Sequence, residues 1–312
     1  MAGACGGGET GDSRAMTRDL PKPRRSALYI PASNARAIEK ARSLPCDCLI
    51  FDLEDAVAES AKDSARAALV TALAEGGFGA RERIVRINGL DTPWGADDVA
   101  ALREAGADAL LLPKIAGTAD IRQADAALED APPELALWVM IETCAAALDL
   151  AGTAALAADT RLAGLVLGLN DLAKEMRAPL SPGRVPFLPI LTQAVLAARA
   201  SGLILLDGVW TALDDLDGFA AECAQGAAFG FDGKTLIHPD QIAPCNRAFS
   251  PSEEALAQAR AIVLAFADPA NQGKGALRVE GRMVEALHLE EARRLLAIDA
   301  AVQANSSVSI ST

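Results

Sequence analysis

Eight short apolar runs, separated by stretches of helical composition, constrain this chain more than any other feature. They read "ALYIP" (27–31), "CLIFDLED" (48–55), "RIVRIN" (83–88), "DALLLPK" (108–114), "LWVMIET" (137–143), "GLVLGLND" (164–171), "LILLDG" (203–208) and "GAAFGF" (226–231). Each is bounded by turn or polar residues and rich in Leu, Val, Ile and Phe. Runs of this kind suit strands buried on both faces, as in a parallel sheet covered by helices. The Ala-, Glu- and Arg-rich segments between them favour helix. Eight such units predict an α/β fold, a (β/α)8 TIM barrel with additional C-terminal helices, rather than an open doubly wound sheet. The first strand is followed by no GxGxxG fingerprint of the open-sheet nucleotide folds.

The ends of the chain are of different character. Residues 1–23 are Gly-rich and polar, with no apolar core of a secretory signal, and are expected to form a disordered tail in which Met16 is a second candidate start. The barrel domain is expected over 24–270. Its last helix, "SPSEEALAQARAIVLAF", has Ser250 as cap, Pro251 in the first turn and Glu253 completing a capping box. Leu256, Ala259, Val263 and Phe266 form its apolar stripe. A connector, "ADPANQGKGALRVEGR", then leads into a C-terminal helical extension over 271–312. Its last helix spans about 284–302 and carries Leu289, Ala292, Leu296 and Ile298 on its apolar side. This extension is long enough to cover a site or to reach a neighbouring subunit.

Composition excludes several function classes. No apolar stretch reaches membrane-spanning length, so no membrane partner is expected. A net charge of −13 argues against nucleic acid, whose affinity rests on neutralising phosphates. Any anionic ligand needs a local basic cluster, and Arg24, Arg25, Arg36 and Lys40 are the candidates. The alternative is a solvated basic face. The six cysteines, at 5, 46, 48, 144, 223 and 245, have neither zinc-ligand nor CxxC spacing and read as reduced thiols of a cytoplasmic protein.

In a barrel the C-terminal ends of the strands build the active site. Here those ends collect polar and charged side chains: Asp52, Glu54 and Asp55 after the second run, Arg86 and Asn88 on the third, Lys114 on the fourth, Glu142 on the fifth, Asp171 on the sixth and Asp207 on the seventh. Glu142 and Asp171 are one βα unit apart, so both face one mouth of the barrel. Two carboxylates suit a hard divalent cation, since Mg2+ takes one or two of them and leaves its other positions to water and substrate. Helix caps or salt bridges are the alternative for this pair. His238 and His288, the two histidines, lack a zinc-site context. No GxSxG elbow marks a serine nucleophile. Lys114 is a conceivable Schiff-base amine, but nothing around it marks desolvation.

Several segments in order then resemble one family. They are "RRSALYIPASNARAIEKA", "DCLIFDLEDAV" with "KDSARAAL", "VRINGLDTPW", "LLLPKI", "MIETCAAAL", "LVLGLNDLA", and "GFDGKTLIHPDQI" with "NRAFSPSEEALAQA". Together they resemble the citrate lyase β-subunit-like CoA-ester lyases of the HpcH/HpaI aldolase group, over about residues 24–300. The resemblance implies a TIM barrel, commonly a homotrimer. It implies Mg2+-dependent cleavage or formation of the C–C bond of a 3-hydroxyacyl-CoA such as malyl-, citramalyl- or citryl-CoA, giving a 2-keto acid and acetyl-CoA. By motif, Glu142 and Asp171 match the metal ligands, and Arg86 the residue contacting the keto acid and the thioester enolate. Glu54 and Asp55 match the acidic pair behind the metal. Tyr29, Arg36, Lys40, Pro239 and Asp240 fall at CoA-contacting positions, which favours the phosphate-clamp reading of the basic cluster.

This sequence departs from the family pattern at three places. Arg36 stands where Lys is frequent, and Ala32 where Gly is usual. Glu285 stands where an acid/base Asp is commonly supplied by a neighbouring subunit. Its extra methylene moves the carboxylate, and a displacement of about 1 Å can cost on the order of 100-fold in rate. Three other functions compete with the lyase. One is a thioesterase on the same substrates, with Glu285 activating water. Another is a CoA-independent aldolase, disfavoured because its base is a His near the early strands. The last is a non-catalytic or multi-subunit citrate lyase component.

Overall fold

The structure is a computed structural model that describes residues 22–308; the expected tail, with Met16 and Cys5, lies outside the described residues apart from its last two positions. The eight barrel strands are β1 (Ser26–Pro31), β2 (Cys48–Asp52), β3 (Glu82–Arg86), β4 (Ala109–Leu112), β5 (Ala136–Ile141), β6 (Leu162–Leu167), β7 (Ile204–Asp207) and β8 (Gly233–Leu236). They pair in parallel in chain order, and β8 closes on β1 through Ser26–Lys234 and Ala27–Thr235. This is the (β/α)8 TIM barrel expected from the eight runs.

The absence of alternation in those runs has a direct cause. Successive side chains point to opposite faces of a strand, and here both faces are dry. Ala27, Cys48, Ile50, Ile84, Leu111, Trp138, Met140, Val166 and Leu206 fill the barrel interior. Their neighbours Leu28, Leu49, Phe51, Val85, Leu110, Val139, Leu165 and Leu205 join the cluster under the helices. Trp138 lies against Gly164, where an added Cβ would come within 2.5 Å of the indole ring. Glycine at that position lets the largest interior side chain fit.

One strand is not where its apolar run pointed. "GAAFGF" was expected as the eighth strand, but 226–229 complete the helix Leu216–Phe229, which ends at Gly230 in a left-handed cap (φ 98°). The strand is "GKTL", with Lys234 and Thr235 buried. A charged residue in the barrel wall hid it from a search for apolar runs.

The chain divides into two compact units, Arg24–Ser250 and Pro251–Ser307. The helix Glu253–Ala267 therefore groups with the C-terminal unit, where Ala259 and Ile262 pack with Leu277, Val284 and Ala292. Ser252, not Ser250, caps it, accepting from the Ala255 N–H at 3.1 Å. Ser250 instead accepts from Arg25 Nη1 and donates to the Asn246 carbonyl. The expected connector contains a hairpin, β9 (Ala276–Val279) and β10 (Arg282–Glu285). Its two loop residues, Glu280 (φ 47°) and Gly281 (φ 83°), both have positive φ, as a tight primed turn requires. A final helix, Ala286–Val308, follows. Among the described residues the five cysteines are free, and no helix is long and apolar enough to cross a membrane.

Candidate active site

A cavity of about 380 Å³ opens at the C-terminal ends of the strands, lined by the barrel alone. Asp52, Asp55, Arg86, Glu142 and Asp171 all line it, together with Tyr29, Met140, Leu167 and Thr235. The charges predicted from strand ends on β2, β3, β5 and β6 thus meet in one place.

Arg86 ends β3 and is fixed by its neighbour strand. Its Nε donates to Asp52 Oδ1 at 2.8 Å and its Nη2 to Asp52 Oδ2 at 2.6 Å, a bidentate pair that sets the guanidinium plane. Asp52 also accepts from the Glu54 and Ala56 N–H groups, so the same carboxylate shapes the loop after β2. The guanidinium lies over the Tyr29 ring, 5.0 Å from its centroid. Nη1 faces Glu54 Oε2 at 2.9 Å and Asp55 Oδ2 at 3.6 Å. Burial and the nearby carboxylates push the Tyr29 hydroxyl up, against the pull of Arg86, so it stays protonated and meets Met140 Sδ at 3.8 Å.

Glu142 follows β5 and is 2% exposed. Its Oε1 accepts from the Lys114 backbone N–H at 2.6 Å. Gly168, at the end of β6, leaves room for it, since a Cβ there would collide with the Glu142 side chain. Burial pushes the Glu142 carboxyl up to about 7; the Lys114 N–H and Arg86 oppose the rise, and Glu54 and Asp171 add to it. Asp171 sits in the first turn of the helix Leu169–Met176, on the same cavity. Among the described residues no group of three or more His, Cys, Asp or Glu could hold a metal. Two hard carboxylates with open positions beside them are, however, a donor set of the kind Mg2+ uses. A cation here would favour the ionised form of a carboxyl that burial otherwise pushes up, so the residues fit the metal.

Glu54 and Asp55 are gathered by Lys114. Its ammonium group contacts Glu54 Oε1 closely and lies 3.1 Å from Asp55 Oδ1. Burial raises the Glu54 carboxyl against the pull of Arg86 and Lys114. At Asp55 the burial effect is outweighed by Lys114 and Arg86, which hold it below the usual carboxylate range.

Other sequence candidates are placed elsewhere. Arg36 and Lys40 are exposed on the helix Ala35–Ala41 after β1, and Pro239 and Asp240 form a turn after β8. Because β8 pairs with β1, these two segments leave the barrel from adjacent strands. Tyr29, by contrast, joins Arg86 inside the cavity. Glu285 ends β10 in the C-terminal unit, where its N–H donates to His288 Nδ1. The basic cluster of the sequence reading does not hold together. Arg24 and Arg25 precede β1, at the opposite end of the strands, and are paired with Glu82 and Asp47. Of that cluster, only Arg36 and Lys40 follow the strand's C-terminal end.

Two strand-end residues also prove structural. Asn88 is buried and bonded to Asp98 and the Leu53 carbonyl. Asp207 is fully buried, accepting from Arg184 Nη1 at 2.7 and 2.9 Å and from Lys234 Nζ at 3.1 Å. Lys234 also donates to Glu222 at 2.8 Å. Sequence reasoning missed Arg184 and Lys234. The lysine inside "FDGKTL" was the available signal, because a buried Lys requires a buried acid.

Comparison with known proteins agrees with this fold. Residues 25–239 match the family model described as HpcH/HpaI aldolase/citrate lyase, and residues 188–299 a C–C bond lyase of the TIM-barrel fold. A (3S)-malyl-CoA thioesterase of Cereibacter sphaeroides (strain KD131) is 48% identical over 282 residues, covering 90% of this chain and 96% of the relative. The citrate lyase subunit beta of Leuconostoc mesenteroides subsp. cremoris is 33% identical, covering 88% and 92%. A solved structure of CitE from Mycobacterium tuberculosis, in complex with magnesium, acetoacetate and coenzyme A, superposes with a TM-score of 0.68 at 31% identity. It covers 89% of this chain and 98% of that one. With the closed barrel, the strand-end charges and these matches in hand, the chain belongs to the HpcH/HpaI aldolase/citrate lyase family.

Proposed function

We propose that this protein is a Mg2+-dependent CoA-ester lyase that cleaves, or forms, the C–C bond of a malyl-CoA-type 3-hydroxyacyl thioester. The observation that carries this reading is the Glu142–Asp171 carboxylate pair sharing one cavity with Arg86. Glu142 and Asp171 would hold the cation, as magnesium accompanies acetoacetate and coenzyme A in the CitE structure. When bound, Mg2+ supplies a Lewis acid for the carboxylate and hydroxyl oxygens of the acyl group. Asp55, ionised and lining the cavity, takes the hydroxyl proton as the C–C bond breaks. The bonding pair moves to the thioester oxygen as an enolate, and Arg86, held in plane by Asp52, places positive charge there. Such preorganised charge is usually the largest catalytic term. The hydroxyl carbon leaves as the carbonyl of the 2-keto acid, and the proton taken up by Asp55 is returned to the enolate carbon, which completes acetyl-CoA.

Charge also narrows the acyl group. Four carboxylates line the cavity and Arg86, already paired with Asp52, is the sole cation among the lining residues. A second substrate carboxylate, as in citryl-CoA, meets no unpaired cation, which favours malyl- or citramalyl-CoA. Arg36 and Lys40, with the Pro239–Asp240 turn that leaves the adjacent strand, are the proposed contacts for CoA. A homotrimer in a reducing cytoplasm, with Glu285 as an acid/base group from a neighbouring copy, completes the reading.

Thioester hydrolysis is the second reading, favoured by the 46–48% identity to (3S)-malyl-CoA thioesterases. Incubation with (3S)-malyl-CoA and Mg2+ separates the two. Glyoxylate and acetyl-CoA without released thiol mean cleavage, and malate with free CoA means hydrolysis. No turnover with any of malyl-, citramalyl- or citryl-CoA, or activity unchanged in E142A, sinks both.

A further inference from the structure

The cavity-lining residues leave out a residue that touches both halves of the site, one with its backbone and the other with its side chain. Lys114 follows β4, between the strands that carry Arg86 and Glu142. Its backbone N–H donates to Glu142 Oε1, and its ammonium group bridges Glu54 and Asp55. It is also one of four non-glycine residues with positive φ among the described residues, at 50°. A left-handed backbone is unfavourable for a residue with a Cβ, and such strain persists where the surroundings over-determine it. Here the two ends of one residue are held by two different partners. With the N–H on Glu142, φ decides where the side chain and the onward chain leave. The onward chain is tied as well, because the Ile115 carbonyl accepts from Thr143 Oγ1 at 2.7 Å.

We propose that Lys114 is the positioning residue of this site, acting through two separate parts of itself. Its peptide N–H holds Glu142 in the orientation that receives the cation, and its ammonium group gathers Glu54 and Asp55 beside Arg86. The first role rests on the reading of Glu142 as a cation ligand given above. The second does not. Orienting groups of this kind typically carry about 10–100-fold in metal affinity or activity.

Substitutions at this one position separate the roles. K114G keeps the N–H and relieves the left-handed strain while removing the ammonium group. K114V also removes the ammonium group, but its branched Cβ opposes positive φ and displaces the peptide. Calorimetric titration of the substrate-free protein with Mg2+ or Mn2+ reads the first role. K114G is expected within about threefold of wild type and K114V weaker by about 10–100-fold. If K114V does not fold, K114A carries the same comparison, binding more weakly than K114G. Turnover of (3S)-malyl-CoA at saturating Mg2+ reads the second role. K114G is expected to lose about 10–100-fold in kcat with a smaller change in KM, and K114R, which restores a cation, to recover most of it. Equal metal affinity in K114G and K114V (or K114A) overturns the role of the N–H. Wild-type kcat in K114G, or no rescue by K114R, overturns the role of the ammonium group. Wild-type protein that binds neither metal overturns the cation reading of Glu142, and the N–H role falls with it.

Discussion

Two clusters of charge are built into this barrel, one buried and one at its open mouth, and they differ in balance. At β7 and β8, Arg184 and Lys234 meet Asp207 and Glu222, two cations against two anions, with Arg184, Asp207 and Lys234 all but inaccessible to solvent. At the mouth over β2–β6, Arg86 and Lys114 face Asp52, Glu54, Asp55, Glu142 and Asp171. The first cluster closes on itself, and burial of Lys234 is more than offset by Asp207 and Glu222, which keep it protonated. The second is short of positive charge and borders a cavity. A balanced buried cluster holds a fold together, whereas an unbalanced one beside an opening asks for a cationic ligand.

The largest expected effect comes from the unbalanced cluster. E142A is expected to lower kcat by at least about 1,000-fold, with a comparable loss on chelation of the metal, because the Lewis acid contributes several kcal/mol of transition-state stabilisation. Steady-state assay with and without EDTA checks both. In the balanced cluster, D207A is expected to destabilise the fold by about 3–5 kcal/mol, since it strands Arg184 and Lys234 without their shared acid. Denaturant titration measures that loss. A D207A protein as stable as wild type would erase the distinction between the clusters.

Smaller effects sharpen it. The Glu142 carboxyl is raised from 4.5 to about 7, so metal-free protein gains a stabilising contribution from its protonated form. That contribution is fully present below about 4.5 and is lost as pH rises through about 7. Metal binding must displace the proton, so apparent Mg2+ affinity is expected to weaken by about tenfold per unit below pH 7. Calorimetry at pH 5.5, 6.5 and 7.5 tests the slope, and a flat profile contradicts it. The smallest effect is at the exposed rim. Replacing Arg36 and Lys40 by Ala is expected to raise KM for a CoA ester by about 3–10-fold at low salt and less at high salt, as screened surface charges do.

How much of this was legible beforehand follows from the same contrast. The barrel could be read because its strands are dry on both faces and therefore look like plain apolar runs. β8 was the exception, since Lys234 sits in its wall. Glu142, Asp171 and Arg86 could be placed because a charge at the end of an apolar run has few alternatives to the strand mouth. Asp207 has the same signature and a different role. Its partner Arg184 lies in a loop 23 residues earlier, a pairing that no local pattern announces. The dual role of Lys114 was equally hidden, because it depends on a backbone N–H and a positive φ. The turn between β9 and β10 was hidden as well, because Glu280 takes a positive φ that its residue type does not announce.

Thermal unfolding of E142Q beside D207N, each with and without Mg2+, tests the central claim most directly. If Glu142 belongs to an unbalanced cation site, metal-free E142Q melts at or above the wild-type temperature. Mg2+ then raises the wild-type Tm and leaves that of E142Q unmoved, while D207N melts well below both and still responds to Mg2+. A metal-free E142Q destabilised as much as D207N, or a wild-type Tm indifferent to Mg2+, would contradict the account.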